Sequence, residues 1–263
     1  MIGAIIGDVV GSVYEFHNIK TTEFDLINPR AHFTDDTVCT VAIMDFLLHA
    51  EKRDEETATK YLHKWTNKYP YAGYGGRFKQ WVRSANPQPY NSFGNGSAMR
   101  ISPVAWAAKS YEELKELVKT VTNITHNHPE GIKGAQVLAA CIFFAINADF
   151  DKGDYWEFVR QYYPEIDSFN YDDLVKDYAF DETCQGSVPQ AIYCFLYSQN
   201  FEECLRVAIS IGGDSDTIAD MACAIAEADY QDIPEEILEH VYDKLPDEMR
   251  NIVIEFRNKY GGS

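Results

Sequence analysis

Positive charge is scarce in this chain of 263 residues: 23 Lys and Arg stand against 41 Asp and Glu, a formal net charge of −18. A surface that tracks a nucleic-acid backbone needs clustered Lys and Arg, so nucleic acid is not an expected partner. A phosphate-bearing small molecule stays open, because bound cations invert the local field. Cysteine occurs at Cys39, Cys141, Cys184, Cys194, Cys204 and Cys223, with no CxxC pair among them. That spacing argues against a thiolate zinc site or a dithiol redox motif. Thiols set among apolar residues point to a reducing compartment, and the expected location is cytoplasmic. The apolar start of the chain is short, lacks a basic leader and carries Asp8, so it does not read as a signal peptide. No window reaches the roughly 18 uninterrupted apolar residues of a membrane span, and no membrane partner is expected. Sustained strand alternation is missing as well.

What is present is helical periodicity. Ile2, Ile5, Ile6, Val9, Val10 and Val13 follow the i, i+3, i+4, i+7 rule. The same spacing predicts helices over 37–50, 55–68, 98–108, 111–121, 132–147, 154–162, 187–197, 201–211, 217–228, 235–244 and 247–259. Pro234 and Pro246 sit at or near the starts of the last two, where a missing N–H costs little. Residues 18–33, 70–76 and 84–97 read as loops, longer than a plain bundle needs, and long ordered loops are often functional. No internal repeat and no linker divides the chain. The expected fold is all-α, a single compact multi-helix domain over residues 1–263, with a monomer as the default state.

Two acidic turns stand out: Thr34-Asp35-Asp36-Thr37 and Gly212-Gly213-Asp214-Ser215-Asp216-Thr217. Taken singly, each reads as a helix cap, an Asp accepting from a first-turn amide. Taken together they read differently. Both precede strongly apolar helices, and core helices converge. Four carboxylates brought together would repel unless cations lay between them. All-oxygen ligands of this kind suit two divalent cations, Mg²⁺ or Mn²⁺.

Three other features carry polar chemistry. Gly3, Gly7 and Gly11 recur every fourth residue on the first helix, which predicts a face that another backbone or a ligand approaches closely. Asp8 and Glu15, two turns apart, are expected to share a face of that helix. Asn91-Ser92-Phe93-Gly94-Asn95-Gly96-Ser97-Ala98-Met99-Arg100 is a glycine loop opening a helix, either an anion cradle or simply a turn. Thr125-His126 lies at a corner between helices, where the imidazole either meets phosphate or ribose oxygens or bonds a nearby carbonyl.

In chain order these motifs resemble the ADP-ribosylglycohydrolases: Gly7-Asp8-x-x-Gly11-Ser12-x-x-Glu15, Phe33 to Thr37, Gly94 to Arg100, Thr125-His126, Val188-Pro189-Gln190-Ala191 and Gly212 to Thr217. The match runs from residue 3 to about 228. The resemblance implies an all-α domain with a dinuclear Mg²⁺ or Mn²⁺ centre held by Thr34, Asp35, Asp36, Asp214, Asp216 and Thr217. It implies that Glu15 lies near the metals and the scissile ribose, that Gly94, Asn95, Gly96 and Ser97 (with Met99 in the same loop) contact the diphosphate, and that His126 lies beside the ADP-ribose. The activity so implied is hydrolysis of the bond between ADP-ribose and an acceptor on a protein side chain or small molecule, with Glu15 and Asp36 as the acids that handle protons or water. The alternatives are a non-catalytic ADP-ribose-binding protein and a metal-dependent phosphohydrolase acting on a nucleotide diphosphate, besides a plain helical interaction protein. Residues 70–93 follow no pattern of the family.

Overall fold

The computed structural model describes residues 1–261, in which fourteen α-helices pack as one all-α domain and no strand forms among the described residues. Three helices make the centre. In α1 (Ile2–Gly11) every residue is buried, in α2 (Asp35–His49) everything from Asp36 to Leu47, and in α12 (Ser215–Tyr230) everything from Ser215 to Ala228. Helices this apolar on all sides can only be core helices. Around them lie α3 (Glu55–Lys68), α4 (Gly76–Arg83), α5 (Ser102–Ala107), α6 (Tyr111–Asn123), α7 (Pro129–Asn147), α8 (Lys152–Val159), α9 (Tyr171–Asp177), α10 (Cys184–Tyr197), α11 (Phe201–Ser210), α13 (Glu235–Lys244) and α14 (Asp247–Tyr260). By length and composition α7 could cross a membrane, but 56% of its apolar window is buried against neighbouring helices, as befits a core helix.

The glycine stripe of α1 faces a backbone. A Cβ on Gly3 would lie 2.3 Å from the Cys223 carbonyl oxygen, one on Gly7 2.2 Å from the Ala219 carbonyl, and one on Gly11 2.6 Å from the Asp216 Cα. All three neighbours belong to α12, so the two helices touch backbone to backbone along their length. This contact carries the C-terminal end of α1 to the N-terminal end of α12.

Several local expectations needed revision. The first helix stops at Gly11, with Ser12 as its C-cap, so Glu15 sits in the following turn and does not share a helical face with Asp8. The helix expected over 98–108 begins only at Ser102, with Pro103 in its first turn, and residues 95–97 form a 3-10 turn. Helices α4 and α9 were not expected: each has only about two turns, too short for periodicity to register, and α4 opens on Gly75-Gly76.

Gly7→Ala should therefore lower stability by about 3 kcal/mol, because its methyl group would meet main chain that cannot yield. Gly75→Ala, where nothing lies within 4 Å of the added carbon, should change little. Thermal denaturation of the two variants checks the pair.

Candidate active site

Three chain segments meet where α1 ends and α2 and α12 begin, and each brings carboxylates. Asp8, fully buried, organises the first acidic turn. Its oxygens accept from the Thr34 amide (2.9 Å), the Thr34 hydroxyl (2.7 Å), the Thr37 amide (3.0 Å) and the Thr37 hydroxyl. Thr34 is the N-cap of α2, accepting from the Asp36 amide through its own hydroxyl. The carboxylates of Asp35 and Asp36 are thus spared from capping. On the other side Asp214 stands at the N-cap position of α12 with no side-chain cap bond; its Oδ2 accepts from Asn95 Nδ2 at 2.7 Å. Thr217 links the two turns, its hydroxyl donating to Asp36 Oδ2 at 2.9 Å.

The result is two overlapping carboxylate triads. Oxygens of Asp8, Asp36 and Asp216 lie within 4.8 Å of one another, and so do oxygens of Glu15, Asp214 and Asp216. Asp216 belongs to both. Asp35 stands outside these triads but lines the same cleft, whose volume is about 270 Å³. All the donors are oxygens, the set that hard divalent cations take. A further sign of missing positive charge lies one turn along α12: Asp220 is fully buried and neither of its oxygens has a hydrogen-bond partner. Buried carboxylates normally have partners. Among the described residues no lysine or arginine forms an ion pair with any of these acids. The residues present therefore fit a divalent-cation centre.

Burial and mutual repulsion set the protonation of these groups. Burial, then the charges of Asp214 and Asp8, pushes Glu15 up to about 7. Burial, with Asp8 as the main neighbouring charge, pushes Asp35 up to about 8. Asp36, Asp216 and Asp220 are raised well above the usual carboxylate range by burial first and by nearby carboxylates second, Asp8 acting on all three. Asp8 and Asp214 are raised too, although hydrogen bonds from Thr37, Thr34 and Asn95 work against the effect of burial.

The far side of the cleft is a donor surface. His126 is buried, and burial together with the Arg100 and Arg77 guanidinium groups lowers its pKa well below the usual imidazole value, so the ring is neutral. Arg100 donates to the Thr125 hydroxyl at 2.7 Å, and that hydroxyl is hydrogen-bonded to His126 Nδ1, also at 2.7 Å. Nε2 faces the glycine loop, 3.3 Å from where a Cβ on Gly96 would stand. Gly94, Asn95, Gly96, Met99 and His126 all line the cleft with the acids. Ser97 does not: its hydroxyl is buried and donates to the Gly131 carbonyl at 2.8 Å, so it turns away from the position the family resemblance implies. Thr34 likewise lies behind the cleft, its hydroxyl committed to Asp8. Asn95 lines the cleft, but its amide is engaged by Asp214.

Residues outside the initial candidates also face the cleft, notably Cys39, Arg77, Tyr90, Phe180 and Glu182. Arg77 stacks over the Tyr90 ring at 4.9 Å. No sequence motif marks these five. Asp8 did carry a signal, as part of the glycine pattern on α1, but its job as the brace of the Thr-Asp-Asp-Thr turn follows only from the contact between α1 and α2.

A helical domain with an acidic cleft of this form defines a class. The family model described as ADP-ribosylglycohydrolase matches residues 1–262. Among curated proteins, mouse ADP-ribosylhydrolase ARH3 is 26% identical, the alignment covering 89% of this chain and 84% of the relative. Human ADP-ribosylhydrolase ARH3 is 25% identical (88% and 84%), and the ADP-ribosylarginine hydrolase Tri1 of Pseudomonas putida 25% (88% and 69%). A solved structure titled ADP-ribosylglycohydrolase-related protein complex superposes with a TM-score of 0.71 at 20% identity, over 98% of this chain and 95% of the other, a likeness of fold. The chain belongs to the ADP-ribosylglycohydrolase family. Its fold is that of the family, and its class of activity is that of an ADP-ribosyl hydrolase.

The raised carboxyls give a pH prediction. In the ion-free protein Glu15 and Asp35 hold their protons up to about 7 and about 8, whereas in the unfolded chain they lose them near 4. The fold binds more protons than the unfolded chain across that window, so stability should fall as pH rises from about 4 to about 8 and level off above. Melting curves in chelator-treated buffer check this. Asp216→Asn, which removes a charge shared by both triads, should flatten the slope.

Proposed function

We propose that the protein hydrolyses the glycosidic bond between C1″ of ADP-ribose and an acceptor, releasing ADP-ribose. The observation that carries this reading is the pair of carboxylate triads sharing Asp216, set in one cleft with the Gly94–Gly96 loop, His126 and the donors of Arg77 and Arg100. The triads suit a polyhydroxylated sugar gripped through cations; the donors suit a diphosphate.

Glu15, Asp35, Asp36, Asp214, Asp216 and Thr217 would hold two divalent cations, Mg²⁺ or Mn²⁺, with Asp8 and Thr34 bracing the first turn from behind. Such ions supply positive charge that neutralises the carboxylates and orients the vicinal hydroxyls of a ribose. The Gly96 amide and the His126 ring would meet diphosphate oxygens, while the Gly94 and Asn95 amides, held by the Ser92 hydroxyl and the Glu182 carbonyl, fix the shape of the loop. Glu15, beside Asp214 and Asp216, would use the carboxylate oxygen not turned to a cation to orient water or the departing acceptor atom. Asp36, oriented by the Thr217 hydroxyl, aligns the attacking water on the opposite side of an oxocarbenium-like centre.

The acceptor is a protein side chain or a small molecule. All three relatives are named for ADP-ribosyl hydrolysis, one of them for ADP-ribosylarginine, and the acidic cleft favours an acceptor that is neutral or cationic. Six buried free thiols support action in a reducing compartment such as the cytoplasm.

A panel of ADP-ribosylated substrates, assayed with and without EDTA and read as released ADP-ribose, tests the proposal. Turnover should require Mg²⁺ or Mn²⁺, and the product should be ADP-ribose and not AMP. Glu15→Gln should lower kcat by about two to four orders of magnitude. Activity that persists in EDTA and in the Asp35→Asn/Asp216→Asn double variant sinks the cation-dependent mechanism, and AMP as product assigns the site to phosphoryl chemistry.

A further inference from the structure

Glu15 has no helix to hold it. It lies beyond the end of α1, in a turn, with its carboxylate against those of Asp214 and Asp216. Like charges at such separations push the turn outward. The group that opposes this is Asn18. Its Nδ2 donates to the carbonyls of Tyr14 (2.8 Å) and Glu15 (3.2 Å) and, across the cleft edge, to the carbonyl of Gly213 (3.0 Å). Its Oδ1 accepts from the Gly213 amide at 2.8 Å. One carboxamide thus bonds both main-chain groups of Gly213, the residue immediately before Asp214, and the main chain of Glu15.

Lys20 works on the same turn. Its Nζ donates to the carbonyls of Ile211 (2.6 Å) and Tyr178 (2.7 Å), and its backbone adopts φ 52°, a left-handed conformation that costs a lysine energy. Gly212 and Gly213 are left-handed too, at φ 73° and 71°. Side chains there would collide with the clamp: a Cβ on Gly212 would lie 2.9 Å from both Asn18 Oδ1 and Lys20 Nζ, and one on Gly213 2.4 Å from the Tyr178 ring. The double glycine that opens the second acidic turn is therefore shaped to receive Asn18 and Lys20.

We propose that Asn18 is a positioning residue that joins the Glu15 turn to the Gly212–Gly213 turn and so sets the separation of Glu15 from Asp214 and Asp216. The inference rests on the cation-dependent reading of the site. It demands a side chain that donates and accepts at once. Asp at this position would keep the acceptor, lose the donors and add another negative charge to the repelling set.

The test is a Mn²⁺ titration by calorimetry on the whole protein, with far-UV circular dichroism to confirm folding. Asn18→Ala and Asn18→Asp should each weaken Mn²⁺ about tenfold, the loss expected when the carboxamide's hydrogen bonds no longer hold one ligand in place. Lys20→Met should act in the same direction, and His17→Ala, in the same turn, should bind as wild type. The decisive comparison is Glu15→Gln with and without Asn18→Ala. If Asn18 acts through Glu15, the double variant binds no more weakly than Glu15→Gln alone, whereas a general structural role predicts losses that add. Wild-type affinity in Asn18→Ala, or additive losses, overturns the inference while leaving the cation site standing. Absence of Mn²⁺ binding by the wild-type protein overturns the cation reading itself, and the inference with it.

Discussion

Everything at the cleft depends on how closely α1 approaches α12. At Gly3, Gly7 and Gly11 there is no room for even a methyl group between the two backbones. Glycine inside a helix costs roughly 1 kcal/mol relative to alanine, and the chain bears that cost three times on one face. The return is registration. With Gly11 against Asp216, the last turn of one helix and the first turn of another are fixed face to face, and Asp8 can reach sideways to the start of α2. Two helix N-termini, whose unpaired amides favour negative charge, then point into one space. A looser crossing would still make a helical bundle, but the acids would sit on separate surfaces as ordinary caps.

The site is under electrostatic tension by construction. Asp8 accepts four hydrogen bonds and Asp214 one from Asn95, yet Asp35, Asp36, Asp216 and Asp220 are raised mainly by burial and then by neighbouring carboxylates, Asp8 among them in every case. A fold can hold such a cluster because the three core helices are over-determined elsewhere by a continuous apolar core. Stability given up at the cleft is supplied by packing far from it, which is the usual relation between a strained site and its scaffold.

Much of this was legible in the sequence, and the exceptions have physical causes. The long helices announced themselves through apolar spacing, and the two acidic turns through the repetition of close acids followed by threonine. The glycine stripe predicted a close approach but not its partner, since period alone does not say whether a backbone or a ligand fills the space. The end of α1 was misjudged because Val13 continues the apolar pattern after the helix has stopped at Gly11. Ser97 fell within a motif whose neighbours face the cleft, yet in the 3-10 turn its own hydroxyl turns inward to Gly131. Arg77 lies on the two-turn α4 and Tyr90 and Phe180 in loops, so only the folded chain brings them to the cleft.

The two walls of the cleft are built differently. On one side the chain around Gly94 is stitched to the start of α10: the Asn95 amide donates to the Glu182 carbonyl at 2.8 Å, the Cys184 amide to the Phe93 carbonyl at 2.9 Å, and Gly94 bridges Thr183. That wall is a seam between two distant parts of the sequence, and altering one edge disturbs the other. The opposite wall, Gly73 to Gly76 ahead of α4, carries no comparable pairing among the described residues. Its two ends differ: Gly73, at φ 108° and with Asp35 Oδ1 3.0 Å from where its Cβ would stand, is tied to the acids, whereas Gly75 and Gly76 face open space, so reshaping that end would change what enters the cleft while leaving the carboxylates in place.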